Sequence, residues 1–109
     1  MPKLGTRKHL LLTQAIRKTL PPLGSQDGKG DEAIAHVKFF SPYSNWTWFI
    51  TEFDGEDTMF GLVQGFEEEL GYVSLQELEE TTIAKLGGVP AVERDCYWKP
   101  QTLAKCRAK

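Results

Sequence analysis

Cysteine, long apolar runs and, across the middle of the chain, positive charge are all scarce in this sequence. The only two cysteines, Cys96 and Cys106, lie close to the C-terminal end. Two thiols cannot build a disulfide framework or a four-cysteine zinc site. No apolar run approaches the ~20 residues that cross a bilayer, which excludes a helical membrane span. The run nearest the N-terminus, Leu10 to Leu12, gives way at once to polar residues and then Arg17 and Lys18, unlike a secretory signal. A cytoplasmic location with reduced cysteines is therefore the expectation, and no membrane partner is implied. Sequence signatures of catalysis are also missing. There is no GxxxxGK[ST], no GxSxG, no HExxH and no Cys–His signature, which weakens an enzyme reading.

The missing positive charge is the most informative absence. From Phe39 to Leu86 one basic residue, Lys85, stands against ten acidic ones. The flanks hold the other twelve basic residues and only five acids, so the net charge of −2 conceals a strong segregation. Such asymmetry concerns surface fields and partners rather than fold.

What is present is an ordinary globular composition, with 40% hydrophobic and 26% charged residues in 109, enough for one domain with one core. The chain is organised around residues 45–66, NWTWFITEFDGEDTMFGLVQGF, which hold two of the three tryptophans and four of the six phenylalanines. Asp54-Gly55-Glu56-Asp57 between β-rich runs is a hairpin signal. It joins a strand over about 46–53 to one over 58–64. The first has apolar residues on both faces, with Trp46, Trp48 and Ile50 on one and Phe49 and Phe53 on the other, and so is expected at the sheet centre. Trp46, Trp48, Phe53 and Phe60 are the expected core.

Elsewhere the local signals are clear. Residues 1–10 read as a flexible basic N-terminus. Thr13 is an N-cap for a helix to about Leu20, halted by Pro21-Pro22. Residues 23–32 form a polar glycine-rich loop, and 33–40 alternate as a strand with Ala33, Ala35, Val37 and Phe39 on one face. A turn at 66–70 precedes a short strand from Gly71 to Val73. Ser74 and Glu77 form a capping box for a helix to about Glu80 with Leu75 and Leu78 inward. A last strand spans about 92–98, and 101–109 is a basic tail that turns helical near Leu103. The single domain is thus placed at 11–100. The fold class is α+β, with a small, mostly antiparallel meander sheet of four to five strands and two or three short helices.

Three constellations carry candidate chemistry. Oxygen ligands clustered at Glu52, Asp54, Glu56 and Asp57 suit a hard divalent cation, although their spacing is not that of an EF-hand and DGED is equally good turn chemistry. His36 with Glu93, Arg94 and Asp95 would serve as an acid–base group for a small hydrolase-like enzyme if the fold brings them together. The acidic clusters at 52–57, 67–69 and 77–80 would present a surface to a basic protein. If the hairpin turns emerge at neighbouring edges, those clusters become an array resembling the phosphates of DNA, which carries one charge per ~1.7 Å of axis. Direct nucleic-acid binding is disfavoured, because no basic residue is interleaved with Tyr43, Trp46, Trp48 and Phe49.

The stretches LTQAIRKTLPPLGSQDGKGD, VKFFSPYSNWTWFITEFDGEDTMFGLVQGFEEELGYVSLQELE and VERDCYWKP, covering most of 11–100, resemble the DUF2958 family of small bacterial proteins, a domain of unknown function. The resemblance implies an accessory protein of plasmids and other mobile elements, and it carries over no activity, cofactor or catalytic residue. Taken with the charge pattern, the chain is read as a non-catalytic interaction module, with anti-defence or DNA-mimic action as one form. Its acidic surface, Glu52, Asp54, Glu56, Asp57, Glu67, Glu68 and Glu69, would meet a basic protein partner. A small hydrolase-like or divalent-metal-binding protein is the alternative reading.

Overall fold

Helix α1 (Gln14–Thr19) starts where the sequence places it, since the Thr13 Oγ1 accepts from the Ile16 amide at 3.2 Å. The computed structural model describes residues 11–107, so the expected flexible N-terminus at 1–10 lies outside the described residues. A glycine-rich loop and one 3-10 turn (Gly30–Glu32) lead from α1 into β1 (Ile34–Ala35) and β2 (Val37–Phe40). These two were expected as one strand over 33–40. The break falls at His36, whose amide donates to the Ile50 carbonyl at 2.8 Å while Val37 is the register partner of the same Ile50. Two residues opposing one is a bulge, and a bulge bends the strand. Ala33 and Ala35 therefore enter one core and Val37 and Phe39 another, instead of sharing one face.

Strands β3 (Thr47–Phe53), β4 (Thr58–Gln64) and β5 (Glu68–Ser74) follow as a meander. The third strand begins at Glu68, earlier than the expected Gly71, because the turn is confined to residues 65–67, where the Gly65 amide donates to the Glu67 carbonyl. Helix α2 (Leu75–Glu80) is capped by Ser74, which accepts from the Glu77 amide, and it buries Leu75 and Leu78 as its spacing predicts. A two-stranded ribbon, β6 (Thr82–Ile83) and β7 (Val89–Pro90), precedes β8 (Glu93–Arg94), β9 (Gln101–Thr102) and α3 (Leu103–Arg107). The strand expected over 92–98 is cut to β8 because the Asp95 carboxylate accepts from the Tyr97 amide and its carbonyl from Trp98, which turns the chain. The sheet order is β5-β4-β3-β2-β8, and each pairing in it is antiparallel, giving the expected α+β fold.

As expected, β3 is central and covered on both sides. One face packs Ile50, Phe53 and Met59 against Phe39, Leu11 and α2. The other packs Phe49 and Leu62 against Ala33, Ala35, Leu103 and Cys106. The segment expected as a basic tail thus supplies β9 and α3, the lid of the second core, through buried Leu103 and Cys106. A register shift between Ile50 and Glu52 inserts one residue into β3, so Phe53 joins the face of Ile50 rather than that of Phe49. Of the four aromatics expected in the core, Phe53 is fully buried, whereas Trp46, Trp48 and Phe60 are half-buried at its margins. Trp46 meets Trp48 at a tilt and Phe66 edge-on, and Phe60 meets Tyr72 with ring centroids 5.1 Å apart.

Gly61 shows how tightly β3 and β4 are joined, because an added Cβ would sit 2.0 Å from the Phe49 carbonyl oxygen. Backbone cannot rotate away as a side chain can. Gly61→Ala is expected to cost about 1–3 kcal/mol by overpacking, read as a lower urea midpoint with an unchanged slope. An unaltered midpoint would contradict this packing.

Candidate functional site

The seven carboxylates expected on one surface have different fates, decided by local backbone demand. Glu52 is 3% exposed and lies inside the protein, a correction to its expected place on the acidic surface. The extra residue in β3 turns it toward the glycine-rich loop, where its two oxygens accept from the Gly24 amide at 2.8 Å and the Gln26 amide at 2.6 Å. Asp54 is exposed but folded into its own turn, accepting from the amides of Glu56, Asp57 and Thr58 through one oxygen. Those backbone donors, Glu56 and Asp57 first, hold its pKa below the ordinary 3.8. Asp57 is half-buried and caps α2, taking the Ser74 hydroxyl at 2.7 Å and the Gln76 amide at 2.7 Å. The four carboxylates of 52–57 therefore diverge, and among the described residues no group of three or more His, Cys, Asp or Glu converges on a metal position.

Glu56, Glu67, Glu68 and Glu69 are exposed as expected. Glu68 is tied down, since it accepts from Gln64 Nε2 at 2.7 Å and pairs with Arg107 of α3, which also reaches Asp31 at 2.9 Å. The strands keep the clusters apart. Thr58 pairs with Ser74 at one end of β4 and Gln64 with Glu68 at the other. The six intervening steps span roughly 20 Å at the strand rise. One end of the sheet carries Asp54, Glu56, Asp57 and the acidic α2, and the opposite end carries Glu67, Glu68 and Glu69. The single dense array needed for a DNA-like row is not formed within one chain.

The second constellation is partly assembled. His36, at the bulge, and Arg94, Asp95 and Cys96, at the end of β8, line one cavity of about 360 Å³ together with Ile16, Thr19, Val37, Trp98 and Pro100. Glu93 is not part of its lining. Arg94 reaches back to the Leu11 carbonyl at 3.0 Å and toward the Cys96 sulfur at 3.9 Å. Lys38 sits 3.9 Å from Asp95 and lies over the rings of Phe49 and Trp98. Burial lowers the His36 pKa below 6.5, because a low-dielectric site disfavours the imidazolium. A neutral imidazole at pH 7 has the protonation state of a general base.

A second cavity of about 350 Å³ lies between the loop and the other sheet face, lined by Gln26, Asp27, Thr51, Glu52, Phe60 and Leu70 among others. Gln26 was missed by sequence reasoning. Its buried amide donates to the carbonyls of Ile34 and Thr51, and its oxygen accepts from the Ile34 amide. No motif marks a lone glutamine in a polar loop. Cys96 and Cys106 are both thiols, the first exposed and the second buried.

Fold and surface define a small α+β domain with a five-stranded antiparallel sheet and separated acidic ends. The chain belongs to the family described as protein of unknown function (DUF2958), whose model matches residues 11–105. Comparison with curated proteins gives no match, nor does comparison with solved structures. Among the described residues no helix is long and apolar enough to cross a membrane.

The His36 environment has a pH signature. Its folded pKa is below the unfolded value, so the unfolded chain binds more protons and the associated stability is complete above about pH 6.5. That contribution is lost as pH falls through the folded value. An NMR titration of the His36 ring is expected to give a midpoint below 6.5, and His36→Gln should flatten the stability loss in that window. A midpoint at or above 6.5 would contradict the desolvated site.

Proposed function

We propose that this domain is a non-catalytic interaction module that presents carboxylates to a basic protein partner. The observation that supports the reading most is the combination of exposed Glu56, Glu67 and Glu69 with a central segment, from Phe39 to Leu86, whose sole basic residue is Lys85. A field dominated by one sign, opposed at Glu68 by Arg107, steers an oppositely charged protein during encounter. The contact residues are Asp54, Glu56 and Asp57 at one end of the sheet and Glu67, Glu68 and Glu69 at the other. Glu52 serves inside the fold. Because the two ends are separated, each addresses a basic patch of its own rather than one continuous groove. In the setting the family resemblance implies, an accessory protein of a bacterial mobile element, a basic nucleic-acid enzyme of the host is the fitting partner and anti-defence the fitting role.

A second reading rests on a different observation, the meeting of His36, Arg94, Asp95 and Cys96 at one cavity. There His36 would act as base and Arg94 would steady an anionic substrate group in a small hydrolase-like enzyme.

Affinity capture from bacterial lysate followed by mass spectrometry separates the two. The interaction reading expects a basic protein that is retained near 0.05 M salt and released near 0.5 M, since exposed charges are screened over about 4 Å there. It also expects loss of that protein from the Glu56→Gln/Glu67→Gln/Glu69→Gln variant but not from His36→Gln. Retention unaffected by the triple change, or an acidic partner, would contradict it.

A further inference from the structure

Strand β5 is an edge of the sheet, and among the described residues nothing pairs with its outer side. Apart from Glu68 and Glu69 near one end, it has none of the usual guards against pairing with another chain. It runs seven residues in unbroken register with β4 and contains no proline, lysine or bulge. Its exposed residues include Leu70 at 45% and Tyr72 at 73%. Leu11, where the described chain begins, packs on Arg94 at the opposite edge.

A second, independent observation is Gly71, at the middle of that strand. Gly61 opposite it is required by the Phe49 carbonyl, but a Cβ on Gly71 would meet nothing within 4 Å, and its φ is not positive. Glycine inside a strand costs roughly 0.5–1 kcal/mol relative to alanine, and it often marks the close approach of another backbone. Nothing within one described chain makes that approach.

We propose that β5 pairs antiparallel with β5 of a second copy, about a two-fold axis through Gly71, to make one continuous ten-stranded sheet. The hydrogen-bond alternation agrees. The Ile50 carbonyl points to β2, where it accepts from His36, so Gly61 and Gly71 turn their backbone groups to each other. Leu70 and Tyr72 then direct theirs outward. With the axis at Gly71, Leu70 faces Tyr72 of the partner twice over, joining apolar side chains across the seam. Gly71 faces its own copy in a non-hydrogen-bonded pair, where Cα atoms come within about 4.5 Å and a glycine admits the approach. The charges choose the orientation. Parallel pairing sets Glu68 and Glu69 near their own copies, whereas the antiparallel register sets Glu68 against Ser74 and Glu69 against Val73. The pairing is closed and two-fold, so it stops at a dimer. It also brings the Glu67–Glu69 end of one copy beside the Asp57 and α2 end of the other, so the clusters separated within a chain become neighbours across the seam.

Two experiments test the register on the whole chain. In a Cys96→Ser background, Gly71→Cys is expected to form an intermolecular disulfide on mild oxidation, because the facing Cα distance lies inside the ~4.4–6.8 Å range such bonds require. Glu69→Cys is expected to stay unlinked, since its copies are offset by four residues. In sedimentation equilibrium the wild type is expected to form a reversible dimer, tighter near 0.5 M salt than near 0.05 M because salt screens the acidic ends that the pairing brings side by side. Leu70→Lys/Tyr72→Lys should be monomeric and folded, and Tyr97→Lys, a change to a still more exposed residue beyond β8, should leave the dimer intact. A monomeric wild type, leaving the edge for an extended segment of another protein, would overturn the proposal. So would equal cross-linking of both cysteine variants, a dimer that survives the double lysine change, or one that weakens with salt. Its failure leaves the acidic-surface reading standing, since that depends on charge neutralisation and not on the β5 edge.

Discussion

The rest of the structure depends on one irregularity in β3, the residue inserted between Ile50 and Glu52. A regular strand alternates faces without exception, so Phe53 would have opposed Ile50 and Glu52 would have faced the first core. The inserted step keeps Ile50 and Phe53 in one core while Phe49 serves the other. It also turns Glu52 to the glycine-rich loop. A buried carboxylate costs several kcal/mol unless its lone pairs are met, and here the Gly24 and Gln26 amides meet them. Gln26 extends the latch by bridging the Ile34 and Thr51 backbones, and Ala33, beside Ile34, accepts the Leu103 amide that starts α3. Glu52 and Gln26 together thus tie the loop to β3 and β1, and the Leu103–Ala33 bond seats α3 beside them.

This use of Glu52 shapes the surface as well. The acidic tract reads as one block of sequence, yet its members divide between structural and exposed duties. Glu52 latches the loop, Asp54 closes the β3–β4 turn, Asp57 caps α2 and Glu68 binds Arg107. Glu56, Glu67 and Glu69 remain exposed without a structural duty of this kind. Asp54, whose backbone donors hold its pKa down, still contributes its charge to the field, so its use in the turn reshapes the acidic surface without erasing it.

Much of the fold was legible in the sequence because its signals are local. Thr13 and Ser74 capped their helices, Asp54-Gly55 turned the hairpin, and the two-sided apolar pattern of 46–53 placed β3 at the centre. The misplaced features are those set by residues distant in sequence. The break at His36 depends on the Ile50 carbonyl, and the inserted residue in β3 depends on its pairing with β4. A one-residue insertion reverses every later face assignment, so Phe53 was put on the wrong side and Glu52 on the wrong surface. The 101–109 segment looked like a tail because Leu103 and Cys106 are sparse among lysines, and only the groove beside Phe49 and Leu62 gives them a place. Of the candidate site, the residue types were readable but not their partners. The sequence suggested His36 with Asp95, and the cavity joins them while leaving Glu93 out.

The claim that Glu52 organises the fold from within is tested most directly by hydrogen exchange at two amides. Gly24 and Gln26 sit in a polar loop whose amides would ordinarily exchange quickly. With the latch in place they are expected to exchange as slowly as the amides of β3, and in Glu52→Ala both should approach open-loop rates while the β4–β5 amides stay protected. Fast exchange at Gly24 and Gln26 in the unaltered protein would contradict the account.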